Sequence, residues 1–282
     1  MTFTQPPSPN EIRRLSEGLD NQPEGQWPDR HYSRVERAEL YSFHAAGTPR
    51  GQALVYAGGG YVQLVTDKEG VEVARWLNDL GLDAHVLLHR LPGQPCRLGD
   101  EAVHPADIAL QDGLAALRVL ALSERAASLP LLHVGISSGG HLAGVMACQA
   151  HPAPLAVRGA LMAYAPLNAN HRRYKSPPGK PDYPPPEKQA FYDAWPIGIT
   201  TEPHGLPPVP LFLAYALHDP IVPVEHAMNL LLAARDHRLD VEAHVWASAE
   251  HGFALRALQG THDQWPLLAA RWIDRCLHDA TV

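Results

Sequence analysis

The sequence predicts an α/β fold, a mostly parallel central sheet covered on both faces by helices. Three observations predict it. Short apolar runs recur along the chain, each ending in glycine or a polar turn. Between them lie stretches whose apolar residues repeat with helical spacing. Several of these strands read as continuous apolar runs rather than alternating ones, the pattern of a sheet buried on both sides.

Element by element, residues 1–51 are polar and Pro-bearing, with a short helix predicted near Glu11–Leu19, and read as an N-terminal extension packed on a main domain of residues 52–282. Ala53–Ala57 is a buried strand ending in glycines. Val71–Leu80 sets Val73, Trp76, Leu77 and Leu80 on one helical face and stops at Gly81. Asp83–Leu91 is the next strand, and Asp107–Ser123 a helix with Leu110, Leu114, Leu117 and Ala121 aligned. Leu131–Ile136 is a strand, and a helix follows from Gly139 to Ala150. Gly159–Leu167 and Leu211–Leu217 are strands, Val224–Arg235 a helix, Val241–Ala247 a strand and Trp265–Leu277 the closing helix.

One segment departs from this rhythm. Asn168–Pro210 carries eleven prolines from Pro177 to Pro210. Each removes a backbone donor and fixes φ, so no regular element is expected there. Its aromatic residues Tyr174, Tyr183, Phe191, Tyr192 and Trp195 predict a cap-like insert over a site, about residues 168–210.

Composition narrows the function classes. The 282 residues are 45% hydrophobic and 19% charged, with a formal net charge of −7, so neither nucleic acid nor an anionic membrane is an expected partner. The N-terminus is broken by prolines and charges where a signal peptide needs an apolar stretch, and a cytoplasmic location is expected. Cys96, Cys148 and Cys276 lack zinc spacing and are expected as incidental thiols. His85 and His89 share one face of a strand without a third ligand, so no metal is expected.

Chemistry enters at Gly135-Ile136-Ser137-Ser138-Gly139, a G-x-S-x-G pattern between an apolar strand and a helix. A sharp strand-to-helix turn there lifts the serine hydroxyl clear of the sheet, with glycines where helix and strand crowd together. Such a serine needs a base, and the base an orienting carboxylate. Of 17 histidines, His251 alone lies just past the last strand, followed by Gly252. Asp219 follows the strand Leu211–Leu217, at the carboxyl edge where α/β sites form. Ala57-Gly58-Gly59-Gly60-Tyr61 leaves the first buried strand, and its bare N–H groups can face an oxyanion. Tyr61 beside these glycines and Trp195 in the insert are candidates for substrate contact.

These motifs resemble those of bacterial acetylxylan-esterase-like α/β-hydrolases, related to the hormone-sensitive-lipase-type esterases. The resemblance runs from about Ala53 to Leu277. It is carried by YAGGGYVQLVTDKEGVEVARWL from Tyr56, HRLP from His89, HPADIALQDGLAALR from His104 and GISSGGHLAG from Gly135. HDPIVPVEHA from His218, EHGF from Glu250 and WP at Trp265 complete it. It implies a triad of Ser137, Asp219 and His251 and oxyanion roles for Gly59, Gly60 and Ser138. It implies no cofactor, and a small-molecule ester or acetylated oligosaccharide as substrate. Ala57 stands where the broader motif often has histidine, and Ser138 where many relatives have alanine. Other readings remain open: a lipase or peptidase of the same fold, or a non-catalytic binding protein on a hydrolase scaffold.

Overall fold

A computed structural model of the chain describes residues 5–96, 103–169, 185–199, 205–256 and 258–278. Among the described residues, eight strands form one sheet in the order β1-β2-β4-β3-β5-β6-β7-β8. They are β1 (Glu11–Arg14), β2 (Glu39–Phe43), β3 (Gly51–Tyr56), β4 (Leu82–Leu88), β5 (Leu131–Ile136), β6 (Val157–Ala163), β7 (Leu211–Ala216) and β8 (Val241–Trp246). From β3 to β8 all pairings are parallel, whereas β1 and β2 join antiparallel at one edge.

Both faces of the sheet are buried because its strands alternate between two cores. Leu54 and Tyr56 of β3 turn to one side, Ala53 and Val55 to the other. The first side is covered by α2 (Ile108–Ala121), α3 (Ser138–Ala147) and α5 (Glu225–His237), the second by α1 (Glu72–Asp79) and α6 (Trp265–His278). Trp265 and Trp272 are fully buried on the α6 side, each contributing about 150–250 Å² of apolar burial. The HRLP and HPADIALQD stretches meet in space. Asp112 of α2 is buried and takes the Arg90 guanidinium at 2.6 Å and the Arg90 N–H at 2.8 Å, tying the end of β4 to the helix.

Two expectations are corrected. Residues 11–14 form a strand, not a helix. Glu11 and Arg13 are half-buried while Ile12 and Arg14 face solvent, the period-2 pattern of an edge strand paired to β2. Within the Pro-rich insert, α4 (Pro186–Ala194) is a regular helix. Its proline stands in the first turn, where no N–H is needed, and the residues that follow contain none. Of the insert, residues 170–184 and 200–204 lie outside the described residues, and with them Tyr174, Lys175 and Tyr183. No helix among the described residues is long and apolar enough to cross a membrane.

Chain order locates the functional edge. From β3 the chain moves one way to β4, and from β5 it moves the other way to β8. Since β3 and β5 are neighbours, with Tyr56 opposite Gly135, the loops leaving them lie side by side at the switch point.

Candidate active site

At the end of β5 the chain turns directly into α3 through Ser137, which carries φ 53° and ψ −126°. A non-glycine residue in this region is strained and persists only where its surroundings hold it. Here the Ser137 N–H is held by the Ala163 carbonyl of β6 at 2.9 Å. Glycine is required at Gly139 because any side chain would overlap the Tyr56 carbonyl. Ser137 sits at the N-terminus of α3, whose unpaired N–H groups face the same space.

Two further strand ends complete the group. Asp219, three residues beyond β7, has a fully buried side chain. Its Oδ1 accepts the N–H groups of Ile221 at 2.8 Å and Val222 at 2.9 Å, and its Oδ2 meets His251 Nδ1 at 2.7 Å. His251 stands in the loop after β8, and its Nε2 lies 3.3 Å from Ser137 Oγ. The imidazole therefore bridges hydroxyl and carboxylate. With a carboxylate on Nδ1, the proton resides there and Nε2 is left as the base. Tyr164, at the end of β6, packs edge-on against the imidazole at a centroid distance of 5.0 Å.

Several other histidines among the described residues are engaged elsewhere. His226 Nδ1 meets the Asn168 N–H at 3.2 Å, and His244 bonds Glu242 at 2.9 Å. His85 and His89 are core residues, bonded to Ser42 Oγ and the Arg90 carbonyl.

The glycine loop lies against the elbow, and its donors are unequal. Gly58 N–H is given to the Glu69 carboxylate at 3.0 Å. Gly60 N–H is given to Ser138 Oγ at 2.8 Å. Among the described residues, no acceptor meets the N–H of Gly59 or of Ser138. These two N–H groups are the open donors of the loop and the elbow.

Tyr61 lies below the surface. It is 1% exposed, its hydroxyl bonds His141 Nδ1 at 2.9 Å, and its ring packs on Phe191 and Tyr192 of α4. His141 Nε2 donates to the Trp195 carbonyl at 2.8 Å. Burial pushes the His141 pKa down to about 4, so it stays neutral and fastens the insert to α3. The Trp195 backbone, rather than its indole, makes that bond.

Sequence reasoning missed one group. Glu69 lies in a π-helical turn, Asp67–Val71, that precedes α1. It is 5% exposed, and beyond the Gly58 bond it accepts the Tyr164 hydroxyl at 3.1 Å. Burial raises its pKa, while His251, Tyr164, Lys68 and Gly58 pull it back. No local signal marks it, because TDKEG reads as a solvated helix start.

Comparison with family models and with curated proteins gives no match for this sequence. Solved structures do match. An acetyl ester-xyloside bifunctional hydrolase from Caldicellulosiruptor lactoaceticus superposes with a TM-score of 0.68 at 18% identity, over 95% of this chain and 97% of that one. The carboxylesterase Cest-2923 from Lactobacillus plantarum gives 0.63 at 18% identity, over 94% and 96%. An α/β-hydrolase enzyme from a Medee basin deep-sea metagenome library gives 0.60 at 20% identity, over 92% and 98%. The chain has the α/β-hydrolase fold.

Proposed function

We propose that this α/β-hydrolase-fold chain is a serine carboxylesterase that removes short acyl groups, with acetylated sugars or xylo-oligosaccharides as the substrate class. The observation that carries the reading is the unbroken chain from Ser137 Oγ through His251 to Asp219, at 3.3 and 2.7 Å. Ser137 attacks the ester carbonyl as His251 Nε2 takes its proton. The Gly59 and Ser138 N–H groups receive the oxyanion, each such donor being worth about 2.7–4 kcal/mol of barrier. His251 returns the proton to the departing alcohol, and water then hydrolyses the acyl-enzyme with the same base.

The short acyl group is supported from two sides. Tyr61, Phe191, Tyr192 and His141 pack among themselves between α3 and α4, and a short acyl group is the reading that a closely packed insert favours. The solved neighbour from Caldicellulosiruptor lactoaceticus is itself named an acetyl ester-xyloside hydrolase.

The test is a p-nitrophenyl ester series from acetyl to octanoyl, paired with trapping by an organophosphonate and mapping of the adduct. Acetyl preference and an adduct on Ser137 are expected. Faster cleavage of octanoyl esters favours a lipase. No hydrolysis and no adduct favours a binding protein on a hydrolase scaffold.

A further inference from the structure

We infer that Glu69 is a positioning residue of this site, a second carboxylate that fixes the oxyanion loop and faces His251 without exchanging a proton. The inference rests on the esterase reading above and deepens it.

The geometry joins Glu69 to both halves of the machinery. One oxygen, Oε2, takes the Gly58 N–H at 3.0 Å. That bond fixes the Ala57–Gly58 peptide plane, one residue before Gly59, whose N–H is one of the two open donors. The other oxygen, Oε1, takes the hydroxyl of Tyr164, whose ring flanks the His251 imidazole. Between them the packing is tight. A side chain at Gly58 would overlap the Glu69 carboxylate and come within 2.7 Å of both the Ser137 Cβ and the Ile136 carbonyl. Carboxylate, glycine and nucleophile are thus stacked in one layer.

Its setting suits a charge rather than a proton carrier. Glu69 is faced by Tyr164 from the end of β6, by His251 from the loop after β8 and by Lys68 on its own turn. The Lys68 ammonium in turn lies 3.2 Å from the position a Cβ on Gly252 would take. The other carboxylate facing His251 is Asp219. In acylation the Ser137 proton passes to His251 Nε2, and the imidazole becomes cationic. A buried carboxylate nearby favours that cation, alongside Asp219. Two donors on Glu69 offset part of the cost of burying its charge.

Glu69→Gln keeps the size and removes the charge. It is expected to lower kcat on p-nitrophenyl acetate about tenfold to a hundredfold, less than loss of a direct oxyanion donor. KM is expected to move little, since the loop acts on the transition state. The acid limb of the kcat/KM profile is expected to shift downward by roughly half a pH unit or more, because a negative charge that favours protonated His251 is gone. A wild-type kcat and an unmoved acid limb in Glu69→Gln overturn the inference. Should that variant fail to fold, Glu69→Asp keeps the charge and withdraws it from Gly58. A lowered kcat with a limb near wild type then supports the inference, and a wild-type kcat overturns it. Wild-type protein inactive on every ester would instead remove the esterase reading itself, so the two failures are told apart by the unmutated enzyme.

Discussion

Replacing Asp219 by asparagine tests the triad without disturbing its shape. In the native site, Asp219 Oδ1 is committed to the Ile221 and Val222 N–H groups at 2.8 and 2.9 Å, and Oδ2 to His251 Nδ1 at 2.7 Å. An asparagine can meet the two backbone donors only with its carbonyl oxygen. Its NH₂ must then point at Nδ1, which can answer only as an acceptor. The imidazole proton moves to Nε2, and the lone pair that would take the Ser137 proton is lost. The expected fall in turnover is ~10⁴-fold, as in serine proteases so altered, or about 5.4 kcal/mol of barrier at 1.36 kcal/mol per tenfold. Stability should change by less than about 1 kcal/mol, since both backbone donors stay satisfied. Asp219→Ala is the contrast: it orphans those buried amides and should lower the melting temperature as well. Steady-state kcat on p-nitrophenyl acetate, with thermal melts on each variant, reads both effects. Asp219→Asn retaining more than roughly a tenth of kcat would refute the assignment of Asp219 as the orienting acid.

Two further expectations follow from the geometry. Burial holds the pKa values of His85 and His141 at about 4 and of His133 and His226 at about 3, below the ordinary 6.5, so all four are neutral when folded and protonate when unfolded. Their stabilisation is complete above pH 6.5 and is lost as pH falls from there toward 4, and for His133 and His226 on toward 3, with a slope of up to about 5 kcal/mol per pH unit; an unchanged urea midpoint between pH 7 and 5 contradicts it. Ser138→Ala removes the side-chain acceptor of the Gly60 N–H but leaves the Ser138 N–H in place, so kcat should stay within roughly tenfold of wild type. A loss as large as that of Ser137→Ala would mean that the Ser138 hydroxyl itself takes part.

How far the sequence could be read depended on the range of the forces involved. The elbow was legible because its requirements are local: an apolar strand, a strained serine and glycines where Gly139 meets the Tyr56 carbonyl. Asp219 and His251 were legible by place, each a few residues beyond a strand end. The edge strands were not. β2 buries Glu39 and Ser42, polar residues that read as solvated until Arg37 pairs with Glu39 at 2.6 Å and His85 with Ser42 at 2.9 Å. Glu69 failed for the same reason, its partners lying 11 and 95 residues away. Tyr61 looked like a substrate contact because it follows the glycines. Its burial depends on α4, a helix in a segment whose prolines argued against any regular element.

The parts of the site share no element, so their alignment has to come from the sheet. A continuous parallel ladder runs beneath them: Tyr56 opposite Gly135, Ile136 opposite Ala163, Ala163 opposite Ala214, and Ala216 opposite Trp246. A slip of one residue at any of these pairings would carry a strand end about 3.3 Å along and turn its side chains to the other face. Catalytic groups tolerate only about 0.5 Å of misplacement, so the ladder must be held far more tightly than simple folding demands. The two cores supply that hold by filling both faces, and Glu69 adds a bond between the β3 loop and the end of β6. What is left adjustable is the 3.3 Å separation of Ser137 Oγ and His251 Nε2, at the long end of a hydrogen bond. Rotation of either side chain would shorten that contact while the ladder beneath it stays in register.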